Sequence, residues 1–115
     1  MDVFTTAYLT CALWAETDNG EPLDRIYSTA DIAPRAMAAA VLDCEKFQRE
    51  HWDLIDINLA HAGHDFWLTR NGHGAGFWDG AWNEPAATTL TNASNAAGNL
   101  DLYVGDDGMI YGFGE

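Results

Sequence analysis

Apolar side chains recur at helical spacing along residues 2–15: Phe4, Ala7, Tyr8 and Cys11, then Trp14 or Ala15, fall on one side. That spacing predicts an amphipathic helix. A strand is the rival reading, because three threonines and Tyr8-Leu9-Thr10 occupy the same segment. Asp18-Asn19-Gly20-Glu21-Pro22 is a turn cluster that ends the element. Leu23, Ile26 or Tyr27 then lays an apolar side chain on the core. Ser28 to Pro34 reads as a helix start, since Ser28 and Asp31 can accept backbone N–H bonds and proline is tolerated in a first turn. From Arg35 to about Leu59 there is no Gly or Pro. Met37, Val41, Cys44, Gln48, Trp52, Ile55 and Leu59 form a stripe flanked by Phe47 and Leu54, with most charged residues opposite. Gly63 is the expected residue closing this long helix.

The pattern then changes period. Phe66-Trp67-Leu68-Thr69 is an aromatic and β-branched run, Asn71-Gly72 is a turn signal, and Phe77-Trp78 resumes an apolar stretch. These residues predict a β-hairpin, 65–70 and 76–79. Ala86 to Ala97 is small and polar, a weak helix with Asn83 as its expected N-cap and Gly98 as its end. Leu100, Leu102 and Val104 alternate with Asp101 and Tyr103 as a strand. Gly105 to Gly108 turns, and Met109-Ile110-Tyr111 returns. Helices gather in the first half and strands in the second. The expectation is a single α+β domain over residues 1–115, with an antiparallel sheet of about four strands (two hairpins) and two to three helices packed on one face.

Composition narrows the class. At 115 residues and 48% hydrophobic content the chain can bury a core without metal or disulfides. It has neither an apolar run long enough to span a membrane nor a recognisable signal peptide. Cys11 and Cys44, the two cysteines, are expected as buried free thiols in a reducing compartment. Charge is the stronger signal. Eighteen acids face five bases, a net charge of −13. Both ends are acidic, whereas residues 34–83 are nearly balanced. Direct binding to nucleic acid or to an anionic membrane is therefore disfavoured. Either the charge serves solubility, or it forms an acidic surface suited to a basic groove in another protein.

Candidate chemistry is sparse. His61, His64 and His73, with Asp65, are of the right type to ligate a metal, but their spacing is irregular and no cysteine pair joins them. No metal and no cofactor is expected. Cys44 lies on the apolar stripe, where a thiol is inert, and no catalytic residue is predicted. Arg70, His73 and Gly74, in the loop running to Gly76, could hold an anion on backbone N–H groups, which leaves a small-ligand or metal-binding protein as an alternative. Asp106 and Asp107 sit in a turn, where aspartate is favoured for local hydrogen bonding. Trp82, between Ala81 and Asn83, is the tryptophan expected to be exposed, as an interface anchor.

The segment His64 to Asp79, with Leu102 to Gly108 and Asp43 to Phe47, resembles uncharacterised small acidic proteins of tailed bacteriophages and mobile elements. The resemblance implies a phage or prophage origin and the cytoplasm of a bacterial host. It carries no functional residue. By association it implies a non-enzymatic inhibitor of a host nucleic-acid-handling or defence system, of anti-restriction or anti-CRISPR type, with DNA mimicry as its means. The partner would then be the basic surface of a host nucleic-acid-binding protein. Asp18, Glu21, Asp24, Asp101, Asp106 and Asp107 would face that surface with Trp82. A phage interaction module with no inhibitory role is a third reading. The sequence does not set an oligomeric state.

Overall fold

The computed structural model describes all 115 residues. Four helices carry the fold: α1 (Val3–Ala15), α2 (Pro34–Ile55), α3 (Leu59–Arg70) and α4 (Ala86–Ala97). Two minimal antiparallel hairpins sit beside them, β1 (Thr17–Asp18) with β2 (Glu21–Pro22), and β3 (Tyr103–Val104) with β4 (Ile110–Tyr111). The four-stranded sheet expected from the sequence does not exist. Its central hairpin is the C-terminal half of α3 followed by an irregular loop.

The correction has a local cause. Asn58 caps α3 by accepting from the His61 N–H at 3.1 Å, so the chain restarts as a helix where the long one stops. Asn71-Gly72 does turn the chain, with Gly72 at φ +67, but it closes a helix and does not join two strands. Almost every residue from Ala62 to Arg70 is buried, so α3 is a core helix covered on all sides. Such a helix shows no polar face, and its aromatic run imitates a strand.

α1 and α3 form the principal helix pair. Gly63 is the point of closest approach, because a Cβ built there would lie 2.1 Å from the Phe4 carbonyl oxygen. Gly63 therefore admits the α1 backbone and does not end a helix. Around this crossing the rings of Phe4, Tyr8, Phe47 and Phe66 pack together, with centroids 4.1 Å apart for Phe47–Phe66 and 5.2 Å for Tyr8–Phe66. Truncating any one of these buried rings to alanine is expected to cost about 3–5 kcal/mol.

α2 contributes a stripe other than the expected one: Ala36, Ala40, Cys44, Phe47 and Ile55 are buried, while Trp52 is 47% exposed. His51 leaves helical geometry at φ −130, yet the observed stripe runs on through it to Ile55. The helix ends at Ile55 and not near Leu59. At the start of α4, Asn83 does not cap. Pro85 holds the cap position, and Glu84 before it accepts from the Thr88 N–H at 2.8 Å and its hydroxyl at 2.6 Å. The last hairpin anchors the connection before α2, where the Ala33 N–H donates to the Ile110 carbonyl at 2.9 Å.

Candidate functional site

α3 carries two buried charged side chains, Asp65 and Arg70, each 4% exposed or less. They pair with different partners. Arg70 closes the C-terminal end of the helix. Its Nε donates to the Gly98 carbonyl at 2.8 Å and Nη2 to the Ala97 carbonyl at 2.9 Å. Its Nη1 donates to the Tyr8 hydroxyl and to Asp43 Oδ2, both at 3.0 Å. The guanidinium thus supplies donors to carbonyls at the end of α4 that the helix leaves unpaired, in the place where the helix dipole favours a cation. It also ties α1 and α2 to the same point. Arg70 is directed into the protein, away from the Gly72–Gly76 loop it was expected to serve.

Asp65 organises the other end. Its Oδ2 accepts from the Trp82 indole N–H at 2.8 Å and lies 3.0 Å from His61 Nε2. Its Oδ1 lies 3.2 Å from His64 Nδ1. Trp82 is therefore a buried partner of a buried carboxylate, 8% exposed, and not the expected surface anchor. Trp14, Trp52 and Trp78 are the tryptophans that reach solvent. The four ligand-type residues named from the sequence divide. His61, His64 and Asp65 meet, whereas His73 lies elsewhere, its Nε2 2.5 Å from Glu16 Oε2. That same glutamate oxygen accepts from the Trp67 indole at 2.8 Å. No group of three or more His, Cys, Asp or Glu side chains is arranged to hold a metal ion. Gly74, at φ +79, is exposed at the loop tip.

Both cysteines are buried and free. Burial, with Asp65 and Glu16 nearby, pushes the Cys11 thiol up to about 12. Burial also pushes Cys44 and the Tyr8 phenol well above their ordinary values. Neither thiol is a thiolate near neutral pH, so neither is a ready nucleophile.

The expected partner-facing acids lie on the two hairpins. Asp18 is half-buried in β1, Glu21 is exposed in β2, and Asp24 is exposed in the short 3-10 turn Leu23–Arg25. Asp101, Asp106 and Asp107 are exposed around β3 and its turn. Two of these acids have local partners. Glu21 is 4.0 Å from Arg25, an exposed pair of little energetic weight. Asp107 accepts from the Met109 N–H at 2.9 Å and the Tyr111 hydroxyl at 2.5 Å, and the hydroxyl holds its carboxyl below the ordinary value. Arg35 lies over the Tyr111 ring at 4.8 Å, so the C-terminal hairpin has a base beside it that its own sequence lacks.

Folding leaves the charge imbalance at the surface. Asp65 is the one buried acid and Arg70 the one buried base, so seventeen of eighteen acids and four of five bases remain at least partly accessible. A scan against family models found no match, and searches of curated proteins and of solved structures found none either. No helix is long and apolar enough to cross a membrane.

Proposed function

We propose that this protein acts without catalysis, by setting its acidic surface against a basic, nucleic-acid-binding surface of a host protein in an infected bacterium. The observation that carries the reading is the surface partition, seventeen accessible acids against four bases. Such a field steers association with a cationic partner and weakens as salt screens it. Asp106 and Asp101 are the acids of the last hairpin that accept no internal side-chain or backbone bond. Near the first hairpin the exposed acids are Asp24, which has no partner, and Glu21, paired only with exposed Arg25. Trp78, 54% exposed, takes the anchoring role expected of Trp82.

The test is capture from bacterial lysate at low and moderate salt, with mass spectrometry of the retained proteins. The wild type is compared with two charge reversals, Asp101→Lys with Asp106→Lys, and Glu21→Lys with Asp24→Lys. The expected result is one dominant nucleic-acid-binding protein, held at low salt, released at moderate salt, and lost in at least one reversal. Retention that ignores salt and both reversals contradicts the reading.

A further inference from the structure

We infer that the pocket between Trp78 and the first two turns of α4 receives a single guanidinium group, an arginine side chain on the surface of a partner protein. The inference rests on the basic partner of the proposed function and names what that partner presents. Trp78, Glu84, Ala87, Thr88, Thr91 and Asn92 line a space of about 170 Å³. That is below the roughly 300–1,000 Å³ usual for sites that enclose a whole small molecule, and it suits one side chain.

Trp78 supplies an unoccupied aromatic face. It is 54% exposed and, unlike Trp14, Trp67 and Trp82, has no ring neighbour in the protein. Of the aromatic residues, tryptophan attracts a cation most strongly. Glu84 supplies the charge. Its Oε1 accepts from the Thr88 N–H and its Oε2 from the Thr88 hydroxyl, one bond for each oxygen. An ionised carboxylate has about four lone-pair sites, so each oxygen keeps one free. The Thr88 hydroxyl, and then its N–H, hold the carboxyl below its ordinary value. Two free acceptor sites on one carboxylate match the parallel N–H donors of a guanidinium.

The protein has no cation of its own for this pocket. None of its ion pairs includes Glu84, or Asp79 next to Trp78 in the chain. No Lys or Arg follows Arg70 in the sequence, and α4 carries no charge of either sign. An anion is repelled by Glu84 and by the net charge of −13. A lysine ammonium meets the same charge, but it lacks the plane that stacks on an indole and the fork that fits a carboxylate.

The experiment follows the tryptophan indole N–H resonances by two-dimensional NMR at constant ionic strength as N-acetylargininamide is added. The comparators are N-acetylcitrullinamide, which has an uncharged urea in place of the guanidinium, N-acetyllysinamide and methyl glucoside. Trp78→Leu assigns the resonance and Glu84→Gln removes the charge, with circular dichroism to check both folds. The expected result is a saturable shift of the Trp78 resonance with a dissociation constant of about millimolar order. Binding should be about five-fold weaker for the citrulline compound and in Glu84→Gln, and weaker for the lysine compound than for the arginine one. The citrulline comparison uses the wild type alone, so it decides even where a variant does not fold. The inference is overturned by no saturable shift at Trp78, by equal affinity for the arginine and citrulline compounds, by tighter binding of the glucoside, or by undiminished binding to Glu84→Gln. Equal shifts at Trp14, Trp52 and Trp78 also overturn it, because a general attraction of cations to an acidic protein gives that pattern. Argininamide binding with no partner captured from lysate contradicts the proposed function and leaves the pocket; a captured partner with no argininamide binding does the reverse.

Discussion

The two ends of α3 each bury a charge, and they bury it differently. At the C-terminal end Arg70 donates to four oxygens from three other parts of the chain. At the N-terminal end Asp65 is as deeply buried, but two of its three partners are imidazoles that line an open groove. The contrast shows how a structural charge differs from a candidate functional one. Burial does not separate them, since both are nearly inaccessible. The difference is in the partners: two carbonyls, a phenol and a carboxylate surround the cation, and an indole and two imidazoles surround the anion.

The comparison is broken most severely by Arg70→Met. Tyr8, Asp43 and the Ala97 and Gly98 carbonyls lose their donor together, so a loss of about 3–5 kcal/mol in urea unfolding is expected. Asp65→Asn should cost less, about 1–3 kcal/mol, because one acceptor oxygen remains for the Trp82 indole or an imidazole. If Asp65→Asn proves the costlier change, the network around Asp65 is the tighter of the two.

Gly63→Ala tests the crossing that places α1 over the Asp65 end. The new methyl meets the Phe4 carbonyl, backbone that has little room to yield, and a loss of about 1–3 kcal/mol is expected from overpacking. Unchanged stability would mean that the helices do not approach so closely. The thiols sharpen the contrast further. Cys11, on α1, lines the groove, whereas Cys44, on α2, is fully buried. Both should resist alkylation at neutral pH in the native protein, with Cys11 reacting first, as followed by mass spectrometry of labelled peptides. Cys44 reacting first would place the more open end at the other side of the molecule.

The smallest effect belongs to the last hairpin, remote from either buried charge. The Tyr111 hydroxyl holds the Asp107 carboxyl below its ordinary 3.8, so that part of the hairpin's stability is present above 3.8 and lost as pH falls through the lowered value. The same bond raises the Tyr111 phenol above its ordinary 10.0, so its contribution is present below 10.0 and lost as pH rises through the raised value. The protection of the Met109 amide, corrected for its intrinsic exchange rate, should therefore fall at both extremes, and Tyr111→Phe should abolish the alkaline response and weaken the acid one, since the Met109 N–H bond to Asp107 remains.

Much of the periphery was legible from local chemistry. α4 and the final hairpin follow from periodicity and turn residues, and Asn19-Gly20 turns at positive φ as such a pair should; α1 is a helix as read, but not on the expected face, since Trp14 is exposed and Leu9, Ala12 and Leu13 are buried. α3 was not legible, because a helix buried on every side presents no periodicity to read. Gly63 looked like a terminator because a close backbone approach leaves no trace in local sequence. Asn58, five residues before Gly63, was the available signal for a fresh helix start. At the candidate site, the types and nearness of His61, His64 and Asp65 were visible, but Trp82 as their fourth member was not. It lies seventeen residues on from Asp65, across the end of α3 and the irregular loop after it, which spacing rules do not cover.

The central claim is that the acidic surface occupies a nucleic-acid-binding site on its partner. Its most direct test is competition: the partner is held on the immobilised protein at low salt, and duplex DNA is added. Release of the partner in proportion to the DNA is the predicted result. A partner that binds the duplex while still held on the protein would contradict the claim, because the two would then occupy different surfaces.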